Sequence, residues 1–136
     1  MQWVSLGTYD TSLFQYDLQS LQWLDSEHIN VIIKISPLTL PIRQRLDHSN
    51  TGLHPISLYS GYEYYGYSIR EEVIDLKHNE SQVLNSYDYD LRERLLEWIR
   101  KSQEIKKIAI HSPESVLVKE LSKVITYVTK PIAQHL

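Results

Sequence analysis

The sequence has no cysteine, and it contains only four glycines, one phenylalanine and one methionine among 136 residues. Without cysteine the chain has no disulfide, no thiol nucleophile and no thiolate metal site. The scarcity of glycine excludes a glycine-rich phosphate-binding loop. No apolar run approaches the roughly 18–20 residues that a membrane helix needs, and the N-terminus lacks the pattern of a signal peptide. These absences favour a cytoplasmic protein with no cofactor and no membrane partner.

The composition is that of an ordinary globular protein. Hydrophobic residues make up 42% of the chain and charged residues 23%, which are typical values. The net charge of −3 argues against a dedicated nucleic-acid-binding protein, because such proteins usually carry a basic surplus. A chain of this length buries a core without cross-links, so we expect a single domain over residues 1–136.

The first third of the chain favours β-strands. Aromatic and β-branched residues between turn-forming residues predict strands at 3–6, 12–17, 21–24 and 30–36. A helix over 13–24 is the alternative, since four of its apolar residues have roughly helical spacing: Leu13, Tyr16, Leu21 and Leu24.

The middle of the chain carries weaker signals. Residues 40–48 are extended or form a short helix, and residues 51–68 resemble a loop with a strand near 56–59. Residues 72–76 and 81–84 are typical of a hairpin, although a short helix fits almost as well. The neighbouring carboxylates Glu71 and Glu72 are interpreted as surface charge.

The last third predicts helix, strand, helix and strand in succession. Apolar residues at helical spacing indicate an amphipathic helix over 88–100, and a short apolar run indicates a buried strand at 108–110. Ser112 is a good helix N-cap with Pro113 at the first helical position, so a second helix follows before a last strand at 126–129. Early strands and late helices together predict an α/β or α+β fold, with a mixed sheet and right-handed crossovers.

This order of elements resembles the bacterial host-attachment protein family, which is related to the middle domain of archaeal and eukaryotic peptide-chain release factors. Trp3-Val4 and Leu13-Phe14 match the opening of that family, and residues 95–99, 108–113 and 117–121 match its close. The resemblance implies an RNase H-like, release-factor-domain-like α/β fold and a link to translation. The chain has no Gly-Gly-Gln, so the resemblance does not imply peptide-release chemistry.

A tyrosine-rich segment is the most unusual feature of the sequence. Tyrosines near glycines form adaptable contacts with proteins or stacking platforms for bases, and the alternative is that they pack a loop or an edge strand onto the sheet. The candidate partner-binding residues are Tyr59, Tyr62, Tyr64, Tyr65 and Tyr67.

Several positive residues are candidates for binding phosphate groups. Basic side chains that lie together contact phosphates, and a strand end that precedes a helix N-terminus attracts anions. The candidates for nucleic-acid or anion binding are Arg43, Arg45, Lys106, Lys107, His111 and Ser112. The six histidines are scattered without the spacing of a zinc motif, so the sequence predicts no metal site.

No catalytic motif is present, which leaves the catalytic residues unassigned and three functional hypotheses open. The first is a non-enzymatic interaction domain that binds a protein or ribosome-linked partner through the tyrosine-rich loop, with a homodimer as a further expectation. The second is a protein of translation that binds or hydrolyses RNA. The third is a small enzyme with a site at the strand ends near Asp10 and His111.

Overall fold

In the computed structural model, residues 1–38, 64–100 and 104–124 are described. Within these ranges the chain forms strands and one α-helix, α1 (Pro113–Val124). The strands are β1 (Trp3–Tyr9), β2 (Ser12–Asp17), β3 (Gln22–Trp23), β4 (His28–Pro37), β5 (Tyr65–Asp75), β6 (Glu80–Asp90), β7 (Leu95–Arg100) and β8 (Ile105–Lys107). A 3-10 turn (Leu18–Ser20) lies between β2 and β3.

The described strands form one curled antiparallel sheet. The main order of strands is β1-β2-β4-β5-β6-β7. In addition, the short strand β3 pairs with β4, and β8 pairs with β6. The β5–β6 hairpin, with 11 residues in each strand, runs through the centre of the sheet. Its turn is built by Asp75, whose Oδ1 accepts the backbone N–H groups of Lys77 and His78, and by Asn79 in the left-handed region at φ 55°.

Helix α1 packs on one face of the sheet, which we call the inner face. Alternate residues of β4 point to this face, because successive side chains of a strand point in opposite directions. The buried apolar residues that form the core are Leu6, Tyr16, Ile29, Val31, Ile33, Ile74, Ile108, Leu117 and Leu121. The helix begins after Ser112, whose Oγ accepts the backbone N–H of Ser115 at 3.1 Å.

The predicted α/β or α+β fold with an RNase H-like mixed sheet is wrong. The described part of the chain is mostly β, its strand pairs are antiparallel, and it contains a single helix. The pairs therefore need no helical crossovers, since hairpins and short connections join antiparallel strands.

The predicted helix over 88–100 accounts for much of this difference. Those residues form the end of β6, a tight turn and β7. Asp90 ends β6, and its Oδ1 accepts the backbone N–H groups of Arg92 and Arg94 at 2.8 and 2.9 Å. Glu93 lies in the left-handed region at φ 63°, where it breaks a helix. Side-chain capping of a turn therefore prevailed over helical periodicity.

The predicted strand at 108–110 is also wrong. The strand β8 ends at Lys107, and only Ile108 of the apolar run is buried. Ile110 is 83% exposed. A run of three apolar residues did not distinguish a buried strand from a turn.

The other predicted elements are confirmed, wrong or outside the described residues, depending on where they lie in the chain. The strands near the N-terminus, the hairpin about residues 77–80 and the helix after Ser112 are confirmed. The loop predicted over residues 51–68 ends too late, because β5 already begins at Tyr65. The predictions for residues 40–48, 56–59 and 126–129 lie outside the described residues. The described helix is neither long nor apolar enough to cross a membrane.

Candidate interaction surface on the outer face of the sheet

The outer face of the sheet, opposite α1, carries a group of aromatic side chains. Tyr67 pairs with Tyr89 across β5 and β6, and Tyr87 pairs with Trp98 across β6 and β7. The rings of Tyr67 and Tyr89 stack at 5.1 Å, and those of Tyr87 and Trp98 lie parallel at 6.2 Å. Cross-strand aromatic pairs stabilise sheets. We call Trp3, Tyr67, Tyr87, Tyr89 and Trp98 the aromatic ladder.

Lys34 lies between Trp3 of β1 and Tyr67 of β5 and contacts both rings. Its neighbours Ile33 and Ile35 belong to the core or pack against it, so the Lys34 side chain points to the outer face. Its Nζ lies 4.6 Å from the ring centre of Tyr67 and 5.5 Å from that of Trp3. Cation–π contacts of this kind contribute about 0.5–1 kcal/mol at exposed sites. The space between these two rings is thus filled by the protein's own cation.

A polar network fixes the position of the Trp98 indole. The indole Nε1 donates to Asn85 Oδ1 at 3.1 Å, and Asn85 Nδ2 donates to Glu71 Oε1 at 2.8 Å. The other carboxylate oxygen of Glu71 accepts from Asn30 at 3.4 Å. This chain of amide and carboxylate groups spans β4, β5 and β6. It holds the indole in place before any partner arrives.

The ladder reaches an exposed apolar region beside β7. Trp98, Leu91 and Leu95 are each 56% exposed, and Tyr64 is 58% exposed. A depression with a volume of about 460 Å³ lies here, lined by Tyr64, Asp90, Leu91, Arg92 and Arg94. Large apolar side chains that stay exposed as a group are characteristic of binding surfaces.

Asp90 organises the turn that carries this region. Besides its two backbone contacts, its Oδ2 accepts from Arg94 Nε at 2.8 Å. Hydrogen bonds from the Arg94 backbone, and then from Arg92, lower the pKa of the buried Asp90 carboxyl. The carboxylate therefore stays charged and keeps the turn closed over the ordinary pH range.

The structure separates the predicted tyrosines. Tyr59 and Tyr62 lie outside the described residues, and Tyr64 is exposed. Tyr67 belongs to the ladder. The hydroxyl of Tyr65 hydrogen-bonds to Ser68 Oγ, which donates to Asp88 Oδ1 at 2.6 Å, and burial raises the pKa of Tyr65. Tyr65 is thus a packed residue, whereas Tyr64 and Tyr67 lie at the candidate surface.

The described basic candidates lie far from these tyrosines. Lys107 pairs with Glu80 at the start of β6, whereas Tyr89 is near its end, roughly 30 Å of strand away at about 3.3 Å per residue. Lys106 is its neighbour on β8, and both lysines are exposed. Arg43 and Arg45 lie outside the described residues, so their position relative to the lysines stays a prediction.

The residues near the helix start have structural roles. Ser112 caps α1, and His111 is exposed in the left-handed region at φ 65°. Asp10 is also exposed, at φ 48° in the β1–β2 turn. The proposed catalytic pairing of Asp10 with His111 stays a prediction.

Sequence reasoning missed most of the ladder. Tyr87 and Tyr89 alternate at the two-residue period of a strand, as do Tyr65 and Tyr67. That signal was available, but the helical interpretation of residues 88–100 obscured it. Trp3 and Lys34 gave no such signal, because their contact with Tyr67 depends on strand order.

A second group of residues brings potential metal-ligand atoms close together. Among the described residues, Glu27, Asp75 and His78 each offer one ligand atom, and these atoms lie within 4.8 Å of one another. The group lies at the end of the β5–β6 hairpin that is remote from the ladder.

Comparisons of the chain with protein-family models, with curated proteins and with solved structures found no match. The resemblance to host-attachment proteins therefore stays a prediction from the sequence. Any functional proposal depends on the geometry of the described residues.

Proposed function

We propose that this protein is a non-enzymatic interaction domain that binds a protein partner through the outer face of its sheet. The proposal depends on one observation: aromatic residues from four strands line the face opposite α1 and end at the exposed Trp98. It revises the hypothesis of a tyrosine-rich loop, because Tyr67 contributes from a strand.

The chemistry of the exposed region supports a protein partner. Tryptophan, tyrosine and arginine are the residues that most often dominate protein–protein binding energy. Tyr64 lines the depression together with the exposed Arg92 and Arg94, and Trp98 is exposed on the adjoining strand β7. Fixed aromatic anchors also lose little conformational entropy when they bind. A ring already held by Asn85 suits such a role.

The edge of the sheet offers a second mode of contact. Within the described residues, β7 pairs with β6 on one side only, and its apolar residues Leu95 and Trp98 remain exposed. An unpaired strand edge accepts an added strand from a partner, which supplies backbone hydrogen bonds. We therefore expect the partner to contact both the edge of β7 and the ladder.

An RNA ligand is the second candidate. Aromatic side chains stack on bases, and the two arginines beside Tyr64 carry the charge to contact phosphates. The acidic residues Glu93 and Glu97 lie in the same turn and strand and oppose this. A protein partner therefore agrees better with the mixed charge of the surface.

Affinity capture with matched leucine variants tests the proposal. Leu95→Ser removes an exposed leucine of β7, and Leu24→Ser removes a leucine of similar exposure, 53% against 56%, outside the surface. We expect a host protein to be retained by the wild type and by Leu24→Ser, and to be lost with Leu95→Ser and with Trp98→Ala. The captured protein is then purified and titrated directly.

Direct titration decides between the candidates. A dissociation constant at least about tenfold weaker for Trp98→Ala, as expected when a central anchor is truncated, supports the proposal. Equal affinity for wild type and Trp98→Ala would contradict it. Retention that ribonuclease abolishes, with a steep dependence on salt, would favour RNA. Sedimentation over a range of concentrations tests the predicted homodimer.

A further inference from the structure

Two turns meet at the end of the sheet remote from the ladder, and each is held by an aspartate. Asp25 Oδ1 accepts the backbone N–H groups of Glu27 and His28, both at 2.8 Å. Asp75 Oδ1 accepts two backbone N–H groups of its own turn at 2.9–3.0 Å. Because His28 pairs with Asp75 across β4 and β5, the two turns lie side by side.

The second oxygen of Asp75 faces two imidazole rings. Its Oδ2 lies 2.9 Å from His78 Nδ1 and 3.3 Å from His28 Nε2. The other ring nitrogen of His28, Nδ1, lies 2.8 Å from Asp25 Oδ1. A neutral imidazole carries hydrogen on only one nitrogen. Both contacts of His28 are therefore satisfied only when the ring binds a second proton or when a cation lies between Nε2 and Asp75.

We propose that this cluster binds a divalent transition-metal ion, of which Zn²⁺ is the representative, through Asp75 Oδ2, His28 Nε2, His78 Nδ1 and the Glu27 carboxylate. The ligand atoms of Glu27, Asp75 and His78 already lie within 4.8 Å of one another. Zinc bonds of about 2.0–2.1 Å in a tetrahedral site place ligand atoms about 3.3 Å apart. His78 Nδ1 and His28 Nε2, at 2.9 and 3.3 Å from Asp75 Oδ2, are close to that separation, and binding requires the His28 ring to move toward Glu27 and His78.

The donor set points to this class of metal. Two imidazole nitrogens with two carboxylate oxygens suit zinc and its neighbours, whereas calcium and magnesium take oxygen ligands. Asp25 completes the pattern, since a zinc-bound imidazole usually donates its other N–H to a carboxylate, which fixes the ring.

Two lysines lie near the cluster and oppose a cation. Lys77 Nζ is 3.4 Å from Glu27 Oε1 and its side chain is 63% exposed. Lys107 Nζ donates to the backbone oxygen of His78 at 3.0 Å and lies 3.8 Å from Glu80. Exposed ion pairs of flexible lysines contribute little. The metal therefore displaces Lys77 into solvent without a large loss, and Lys107 keeps its own partners.

Titration of the full chain with Zn²⁺ tests the proposal. Calorimetry slightly above neutral pH is expected to show one ion per chain. Nuclear magnetic resonance of the imidazole nitrogens locates the ion. The signals of His28 Nε2 and His78 Nδ1 are expected to shift, while those of the exposed His111 stay in place.

Three variants complete the test. Asp75→Asn keeps an Oδ1 that accepts the turn's N–H groups but removes the charged Oδ2, and His78→Ala removes an exposed side chain. Each is expected to weaken zinc binding at least about tenfold, whereas His111→Asn, at a positive φ that asparagine tolerates, binds as the wild type does.

Several results would overturn the site: no binding of Zn²⁺, equal binding in Asp75→Asn and His78→Ala, or shifts confined to histidines outside the cluster. Tighter binding of Ca²⁺ than of Zn²⁺ would overturn the metal class. Trp98→Ala is expected to bind Zn²⁺ normally, so the outcome is separate from that of the proposed interaction surface.

Discussion

Glu71 and Glu72 are neighbours on β5, yet they lie on opposite faces of the sheet. Glu71 is on the outer face, where the amides of Asn30 and Asn85 donate to its carboxylate. Glu72 is on the inner face, 1% exposed, and neither of its carboxylate oxygens accepts a hydrogen bond. Arg70 Nη1 lies 3.9 Å away. The interpretation of both glutamates as surface charge was therefore wrong for Glu72.

The difference separates two uses of one sheet. The inner face excludes water and combines aliphatic side chains with one poorly paired carboxylate, which costs stability when it is charged. The outer face carries the hydrogen-bonded network about Glu71, in which Asn30 Oδ1 is buried without a hydrogen-bond partner, and it leaves the Trp98 ring exposed. Substitutions on the inner face should therefore act on folding, and those on the outer face should act mainly on binding.

The largest expected effect on stability comes from a substitution that removes buried side-chain atoms from the inner face. Leu117 of α1 is fully buried, so Leu117→Ala removes buried methyl groups and leaves a cavity, at a cost of about 2–5 kcal/mol in the free energy of unfolding. Urea denaturation measures this. Leu91→Ala, at an exposed leucine in the β6–β7 turn, is expected to change stability by no more than about 0.5 kcal/mol; a similar loss in both variants would contradict the contrast between the faces.

The next effect is a dependence of stability on pH that originates at Glu72. Burial raises the pKa of Glu72 from 4.5 to about 8, Glu114 of α1 adds to this, and Arg70 opposes it. The folded state holds a proton that the unfolded state releases between these values, so rising pH removes stability. At about 1.4 kcal/mol per pH unit, the loss between pH 4.5 and neutrality is roughly 3 kcal/mol.

Glu72→Gln isolates this contribution. Denaturation at a series of pH values is expected to show a flatter profile for Glu72→Gln than for the wild type. Glu71→Gln, one residue away on the outer face, should keep the wild-type slope. If Glu72→Gln kept the same change of unfolding free energy with pH as the wild type, the buried carboxyl would not be the source of that pH dependence.

A smaller effect is expected where β5 approaches the β6–β7 turn. A Cβ added at Gly66 would lie 2.7 Å from the backbone oxygen of Asp90 and 2.9 Å from its carbonyl carbon. Since neither atom can move without disturbing the turn, Gly66→Ala is expected to cost about 1–3 kcal/mol. Thermal denaturation measures it, with Thr8→Ala on an exposed position of β1 as the control. If Gly66→Ala left the stability unchanged, the backbone of the β6–β7 turn would be able to move away from the added Cβ, contrary to this expectation.

The smallest effect on folding is expected on the outer face. Trp98→Ala loses the contact with Tyr87 and the hydrogen bond to Asn85, which together are worth about 1 kcal/mol at this exposure. Near-ultraviolet circular dichroism follows the ring and urea denaturation follows stability. A loss as large as that of Leu117→Ala would show that Trp98 belongs to a core and is not available to a partner.

Local sequence patterns predicted the correct elements where the structure depends on neighbouring residues. The β-branched run about Val31 predicts its strand, and Ser112 with Pro113 predicts the start of α1, because both signals act within a few residues. The same reasoning failed at residues 88–100. Leucines at helical spacing also fit an exposed turn and edge strand, and the capping of that turn by Asp90 depends on where β6 ends.

The candidate sites show the same limit. Tyr67 was named from the sequence, but its stacking on Tyr89 and its contact with Lys34 depend on strands that are distant in the chain. His28 and His78 are 50 positions apart with no motif between them, and the register of β4 with β5 brings both to Asp75.

The sequence by itself determined an ordinary globular composition and the helix that follows Ser112, and it favoured the strands near the N-terminus and the central hairpin over helical alternatives. These follow from propensity, alternation and capping, which are properties of neighbouring residues. Only the tertiary structure decided that the sheet is antiparallel, that Glu72 is buried while Glu71 is not, and which aromatic and imidazole rings meet. Those outcomes depend on strand order and register, which are set when distant segments bury their apolar faces together.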